Sequence, residues 1–286
     1  MYRVLKDRAK PLLKQAIITS GLELTPFLSS TQLFKRARGR GAIFTLHHVR
    51  PQPSRLFQPN DILDITPAFL DDALGTLQNE GYEFIGLAEV AERLRSTNTT
   101  PFACFTLDDG YRDNATFAAP VFRKYGAPFT IFLTKGFIDG THSMWWETAE
   151  ALLNEQGALA FDFGRGGEDL PAATQVEKLA AFNRLSAFIN STDEAAAVAQ
   201  LDDIARRCGI DPLGITRTLT MRDEELQALL ADPLVSLGAH TTSHRGLARL
   251  STHDAELEIA GSVERVARIT GVAPESFAYP YGDDRS

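Results

Sequence analysis

Short apolar runs alternate with amphipathic segments from about residue 42 onward. Such alternation is typical of βαβ units, in which helices join parallel strands. The apolar runs predict strands at residues 42–47, 83–85, 102–107, 128–134, 234–239 and 276–279. The amphipathic segments predict helices at residues 67–80, 87–94, 115–125, 223–230 and 253–269. The pattern therefore favours the α/β class with a parallel sheet.

Two parts of the chain depart from this alternation. Residues 139–220 carry helical patterns at 145–154, 175–190 and 194–208 but no evident strand, so we expect a helical insertion there. Residues 1–40 have the pattern of a helical N-terminal extension that closes with a basic run at residues 35–40. We therefore expect one main domain over residues 41–286, preceded by this extension.

Composition narrows the class of protein. The 286 residues are 44% hydrophobic with a net charge of −8, which fits a globular protein and argues against a nucleic-acid partner. No stretch reaches the roughly 18 apolar residues of a membrane span, and no signal-peptide cleavage site is evident. We expect a cytoplasmic protein, with peripheral membrane association of its basic, amphipathic start as the alternative. The oligomeric state stays open.

The two cysteines are far apart in the chain. Cys104 falls within an apolar strand pattern, so we expect a buried free thiol rather than half of a disulfide with Cys208.

Adjacent carboxylates follow the apolar run at 102–107. Asp108 and Asp109 stand at its carboxyl end, and Gly110 permits a sharp turn that lets both reach one cavity. Two close carboxylates repel, so a cation on one would leave the other free to handle protons. The competing interpretation is an ordinary Asp-Asp-Gly turn that ends a strand.

Two histidines four residues apart follow another predicted strand. We expect His240 and His244 to place both rings on one side of a helical turn, although two unrelated loop histidines would also fit. One carboxylate and two imidazoles suffice to hold a catalytic divalent metal. Both motifs lie past carboxyl ends of predicted parallel strands, the face that carries the active site in α/β barrels. Their shared placement favours a metal-assisted hydrolase.

Three further segments could line the same cavity. In the strand end at residues 277–282, the backbone N–H of Tyr281 could face a developing oxyanion, although aromatic packing alone would also explain the segment. Either His47 or His48 could face the cavity, and strand alternation alone does not decide which. Trp145, with His142 and Trp146, could stack on a sugar, but a buried anchor for the insertion is favoured.

These motifs resemble those of the polysaccharide deacetylases (carbohydrate esterase family 4, the NodB-homology domain). The resemblance rests on residues 106–110, 240–244 and 277–282 and extends from about residue 42 to the end of the chain. Residues 108–114 and the Leu46-His47 region look most like the branch that acts on N-acetylglucosamine polymers and exopolysaccharides.

The resemblance implies a distorted (β/α)₇ TIM-like barrel that hydrolyses acetyl groups, N-acetyl above O-acetyl, on an oligo- or polysaccharide. It implies Asp109, His240 and His244 as ligands of a metal, zinc being expected and cobalt, nickel or manganese the alternatives. Asp108 would be the general base that deprotonates the metal-activated water, and the Tyr281 amide would help to stabilise the oxyanion. His47, Trp145, Pro280 and Tyr281 would contact the substrate.

The chain departs from the family pattern in two places. Ala278 stands where an arginine usually orients the catalytic aspartate, and the later motif that supplies a general acid histidine has no counterpart before Ser286. We therefore expect a C-terminally truncated barrel, with His47 or another group as an alternative proton donor. These departures keep two other functions open: a non-catalytic carbohydrate-binding barrel and a non-haem iron oxygenase, whose site also uses two histidines and a carboxylate.

Overall fold

Strands and helices alternate along the part of the chain that the computed structural model describes, residues 39–52 and 56–282. The strands are β1 (Gly41–Leu46), β2 (His48–Val49), β3 (Asp64–Ile65), β4 (Glu83–Phe84), β5 (Phe102–Leu107), β6 (Phe129–Leu133), β7 (Ala158–Asp162), β8 (Gly167–Pro171) and β9 (Val235–Ala239). The helices are α1 (Pro67–Asn79), α2 (Leu87–Arg95), α3 (Ala119–Tyr125), α4 (Lys135–Ile138), α5 (Trp145–Glu155), α6 (Gln175–Ile189), α7 (Glu194–Arg207), α8 (Pro212–Leu219), α9 (Asp223–Leu229) and α10 (Thr252–Thr270). The predicted extension over residues 1–40 lies almost wholly outside the described residues.

The central sheet is parallel throughout. Its order is β1-β5-β6-β9, with β4 beside the start of β5, and Phe277 extends it through a parallel bridge to Ala239. Only this bridge stands where a strand at 276–279 was predicted. The α/β class with a parallel sheet is confirmed, whereas closure into a (β/α)₇ barrel stays a prediction.

Burial explains the two central strands. Every residue of β5 and β6 is buried, as expected for parallel strands that are covered on both faces. Cys104 of β5 is a buried free thiol, and Cys208 is also unpaired, as predicted. Aromatic and aliphatic side chains from the sheet and its flanking helices form the main core; its largest members include Leu70, Leu74, Leu107, Phe122, Phe129, Ile131 and Leu133.

Local capping signals set the helix ends that flank the sheet. The Thr66 hydroxyl accepts a hydrogen bond from the Phe69 N–H (3.1 Å), and Pro67 occupies the first turn of α1, as predicted. Gly126 ends α3 and Gly271 ends α10, both in the left-handed conformation that glycine adopts without strain. None of the described helices is long and apolar enough to cross a membrane.

The insertion at 139–220 is not purely helical, so that prediction was wrong in part. β7 and β8 form an antiparallel hairpin between α5 and α6. In its loop, Asp162 Oδ1 accepts hydrogen bonds from the N–H groups of Gly164, Arg165 and Gly166 (2.7, 3.1 and 3.0 Å). β7 alternates exposed and buried positions over only five residues, and β8 buries only Leu170, so the sequence pattern does not separate either strand from a loop.

The insertion forms a second apolar core that also takes in Phe57, Tyr111 and Phe137 from outside it, and polar contacts strengthen this attachment. Its core includes Leu152, Leu153, Phe161, Leu185 and Leu201. Trp146 Nε1 donates to the hydroxyl of Tyr111, just past β5 (3.1 Å), and Asn60 Nδ2 donates to Glu150 Oε2 (2.9 Å). The helices of the insertion are therefore fixed beside the carboxyl ends of the strands.

Side-chain contacts hold both ends of β1. At its start, Arg40 donates to carbonyls at the end of α2, including those of Arg93 (3.0 Å) and Ser96 (2.9 Å). Past its end, His48 is fully buried between the carboxylates of Asp113 (Nδ1–Oδ2 2.5 Å) and Glu147 (Nε2–Oε1 3.8 Å). Burial lowers the pKa of His48, but these two carboxylates outweigh that effect and raise the pKa to about 9.

The charged His48 makes stability depend on pH. Because the folded-state pKa lies above the ordinary value of 6.5, its contribution is complete below pH 6.5 and is lost as the pH rises through 9. We expect the free energy of unfolding to fall by on the order of 2–3 kcal/mol more across this window in the native sequence than in His48→Gln. Urea titrations at each pH measure this difference. His253→Gln, a change at an exposed histidine, should keep the native slope; equal slopes for all three proteins would contradict the assignment.

Candidate active site

The two aspartates lie at the turn that follows β5. Asp109 has φ 70° and Gly110 has φ 68°, so the chain reverses sharply and both carboxylates reach the same side of the sheet. A Cβ at position 110 would come within 2.8 Å of Ile138 Cδ1 and Leu133 Cδ2, so any other residue would displace these side-chain ends as well as strain the backbone. The turn that the sequence predicted is therefore confirmed, with glycine favoured chiefly by the backbone angle.

The two histidines do not lie on a helical turn, which corrects the prediction from their spacing. Residues 240–244 form an irregular loop after β9, with Thr241 at φ 65° and His244 at φ 61°. The His244 N–H donates to Thr241 Oγ1 (2.9 Å), and the His240 N–H donates to the carbonyl of Leu133 (3.1 Å) on β6. The left-handed residues turn the loop so that both imidazoles face Asp109.

Asp109, His240 and His244 form a buried cluster with the geometry of a metal site. Asp109 Oδ1 lies 3.8 Å from His240 Nε2 and 3.5 Å from His244 Nε2, and one atom from each residue falls within 4.8 Å of the others. His240 Nδ1 donates to the carbonyl of Ala278 (2.9 Å), which leaves Nε2 as the lone-pair donor. One carboxylate and two imidazoles fit a divalent transition metal with open positions.

Electrostatics also favour metal binding. Burial raises the pKa of Asp109 to about 7, and the negative charge of Asp108 adds to this effect, while His240 opposes it. Burial lowers the pKa of His240, and it lowers the pKa of His244 further. The histidines are therefore neutral, which is the state that binds a metal, and a cation would relieve the crowded carboxylates.

Asp108 stands beside this cluster without belonging to it. Its side chain is buried, and Oδ1 has no hydrogen-bond partner among the described residues. Burial raises its pKa to about 6, opposed by His47, whose Nε2 lies 3.9 Å from Asp108 Oδ2. His47 has 27% of its side chain exposed whereas His48 has none, so His47 faces the site. None of the arginines within residues 39–52 and 56–282 pairs with Asp108, in keeping with alanine at position 278.

Tyr281 is held over the cluster by two residues from the insertion. Its hydroxyl donates to Glu194 Oε1 (2.5 Å) and accepts from Trp145 Nε1 (3.2 Å), and its ring packs edge-on against His244. Glu194 also pairs with Arg249 (2.6 Å). Sequence reasoning missed Glu194 and Arg249 because neither lies in a motif. Glu194 opens a helix, and only the fold brings it to Tyr281.

A cavity of about 810 Å³ opens over these residues. His47, Trp145 and Tyr281 line it as expected, but Pro280 is buried and does not. Trp145 and Trp146 are mostly buried, so they anchor the insertion as favoured, although both also form cavity wall. His142 lines a separate cavity of about 370 Å³. Residues from several other elements also line this cavity, among them Thr45, Asn60, Ile62, Leu63, Thr106, Phe182, Ser186 and Asn190.

One comparison with known protein families gives a match over the last third of the chain. Residues 187–286, which include both histidines, match the model of the family described as Polysaccharide deacetylase. A comparison with curated protein sequences gave no match. The predicted resemblance to the polysaccharide deacetylases is confirmed.

Solved structures are similar in fold at low identity. A de-N-acetylase from Aggregatibacter actinomycetemcomitans is 13% identical, with 85% of this chain and 80% of that chain covered and a TM-score of 0.50. The Streptococcus pyogenes deacetylase PplD in complex with acetate is 14% identical (86% and 75% covered, TM-score 0.48). IcaB from Ammonifex degensii is 16% identical (85% and 75% covered, TM-score 0.48).

The cluster predicts stoichiometric metal binding. We expect the purified protein to hold about one equivalent of zinc or another divalent transition metal. The double variant His240→Ala/His244→Ala should lose it, because a lone carboxylate is a weak ligand set for such an ion. Elemental analysis after dialysis, followed by calorimetric titration with zinc, measures the loss. His253→Ala, at an exposed histidine on α10, is the control; full metal retention in the double variant would place the ion elsewhere.

Proposed function

We propose that this protein is a metal-dependent hydrolase of N-acetyl groups on a saccharide, a proposal supported by the match of residues 187–286 to the polysaccharide deacetylase family model. One observation carries the proposal above all. The buried set of Asp109, His240 and His244 lies next to a second carboxylate, Asp108, that takes no part in it. Such a separation between an ion site and a proton acceptor is what hydrolysis of an acetyl group needs.

Asp109, His240 and His244 would hold the divalent metal, for which zinc is the expected ion. The bound ion would supply Lewis acidity toward the acetyl oxygen and lower the pKa of water. The protein's own contribution is orientation: the Ala278 carbonyl fixes the ring of His240, and the Leu133 carbonyl fixes its backbone.

Asp108 would act as the general base. Its unpartnered Oδ1 accepts a proton from the attacking water while the water oxygen forms a bond to the acetyl carbon. No hydrogen bond from a neighbouring cation competes for that oxygen among the described residues. The backbone N–H of Tyr281 would donate to the oxygen that becomes negative.

His47 would return a proton to the leaving nitrogen. When the carbon–nitrogen bond breaks, its electron pair goes to the nitrogen, which then needs a proton. His47 Nε2 is 3.9 Å from Asp108 Oδ2, close enough for the proton taken from water to pass through His47 to the amine after a small movement. In this role His47 would be the general acid of the reaction.

The two alternatives are weaker. An oxygenase would leave the buried Asp108 carboxylate without a role. A binding protein would not need the buried set of Asp109, His240 and His244 in its cavity. The experiments on Asp108 and His47 separate both alternatives from hydrolysis.

Asp108→Asn tests the base directly. The amide keeps the size of the side chain but cannot accept the proton, so we expect acetate release from N-acetylglucosamine oligomers to fall by about 10²- to 10⁴-fold. Enzymatic acetate detection measures the rate, and metal content should stay at the native level. Asp169→Asn, on the exposed hairpin strand β8, is the matched control and should be fully active. Undiminished hydrolysis by Asp108→Asn would overturn the mechanism.

His47→Gln tests the proton donor through the leaving group. An amine must be protonated as it leaves, whereas the phenolate of p-nitrophenyl acetate need not be. We expect kcat on the N-acetylated oligomer to fall by about tenfold or more, with hydrolysis of the ester nearly unchanged. Equal losses on both substrates would show that His47 does not supply this proton.

A further inference from the structure

One face of the insertion helix α6 forms a wall of the catalytic cavity. Phe182, Ser186 and Asn190 follow one another at intervals of four residues, so they align on one side of α6 and its C-terminal cap. All three line the same cavity as Asp108, Asp109 and the two histidines of the candidate metal site. The ring of Phe182 stacks with that of Trp145, with centroids 6.1 Å apart and planes 30° apart.

Most other polar groups in this cavity already have protein partners. Asn60 donates to Glu150 Oε2 (2.9 Å) and to the Trp146 carbonyl (3.1 Å). Thr106 Oγ1 donates to Thr45 Oγ1 (3.2 Å). The Tyr281 hydroxyl is taken by Glu194 and Trp145. Apart from the groups assigned to the hydrolysis itself, such as Asp108 and His47, the polar groups in this cavity that are least engaged with the protein are those of α6.

Ser186 and Asn190 are suited to ligand recognition. Asn190 is exposed and Ser186 is half-buried, and the contact that joins them is long, 3.4 Å between Asn190 Nδ2 and Ser186 Oγ. An amide and a hydroxyl each offer both donor and acceptor atoms, which match the hydroxyl groups of a sugar. The Phe182–Trp145 pair adds an apolar surface for the C–H face of a sugar ring.

Apolar side chains also line the cavity. Ile62 is 88% exposed, and Leu63 lines the cavity with it. The cavity of about 810 Å³ is much larger than an acetyl group or a single sugar ring requires. It has room for neighbouring units of a saccharide chain.

We propose that Phe182, Ser186 and Asn190 on α6 form a subsite for a sugar unit that adjoins the acetylated one, so that the enzyme prefers oligo- or polysaccharides over monosaccharides. This inference rests on the proposed function. The residues that determine the preferred chain length then belong to the insertion, whereas the residues that carry out hydrolysis lie in the loops that follow the strands of the sheet.

The test compares substrates of increasing length. Acetate release is measured from N-acetylglucosamine and from its β-1,4- and β-1,6-linked oligomers up to the hexasaccharide, with p-nitrophenyl acetate as a substrate that cannot reach the subsite. For Asn190→Ala and Ser186→Ala we expect kcat/KM to fall by about tenfold on oligomers, as for a lost hydrogen bond, and to stay native on the monosaccharide and the ester. Asn183→Ala, at an exposed asparagine of the same helix that does not line the cavity, is the matched control.

The outcomes separate the two proposals. Native kcat/KM on oligomers in both variants, or an equal loss on every substrate, would overturn the subsite. Binding of the hexasaccharide to Asp108→Asn protein, measured by calorimetry with and without Asn190→Ala, gives an independent readout. Weaker binding with Asn190→Ala, together with no acetate release by the native enzyme from any substrate, would support the subsite and refute the proposed hydrolysis.

Discussion

The residues with a strained, left-handed backbone are concentrated at the candidate site, and the positions of the site's side chains depend on this strained backbone. Among the described residues, the non-glycine positions with positive φ are Asp109, Thr241, His244 and Tyr281. All four lie in the three loops that meet above the sheet. Each such residue costs about 1–3 kcal/mol and persists only where its surroundings fix it. The parallel sheet supplies that constraint, because β5, β9 and the bridge at Phe277 set where the three loops begin.

The insertion supplies part of the cavity wall and the residues that hold Tyr281 in place. Trp146 binds the Tyr111 hydroxyl after β5, and Glu194 and Trp145 hold the Tyr281 hydroxyl at the other end of the sheet. The insertion is therefore joined to the loops above the sheet by hydrogen bonds whose partners are largely buried, and Tyr111 is itself part of the apolar cluster of the insertion. Cutting these contacts would free Tyr281 and one wall together, so folding of the insertion and assembly of the site are coupled.

Sequence patterns predicted the parts of the structure that depend on local signals. Strand β5 matches its predicted bounds because its apolar run is unbroken, and Thr66-Pro67 marks the start of α1. The aspartates and histidines were found as pairs, but the loop that joins His240 to His244 was predicted as a helical turn, because spacing alone does not reveal left-handed backbone. Glu194 could not be found, because its partner Tyr281 is distant in the chain and only tertiary packing joins them.

The two anchors of β1 have a consequence for which histidine lines the cavity. Arg40 holds one end of the strand and His48 lies just past the other, so both contacts oppose a shift of β1 along β5. A register slip by one residue would turn every side chain of the strand to its opposite face. His47 and His48 would then exchange places, and the buried ion-pair partner would stand in the cavity. Of two identical neighbours in the sequence, the strand register decides which one lines the cavity.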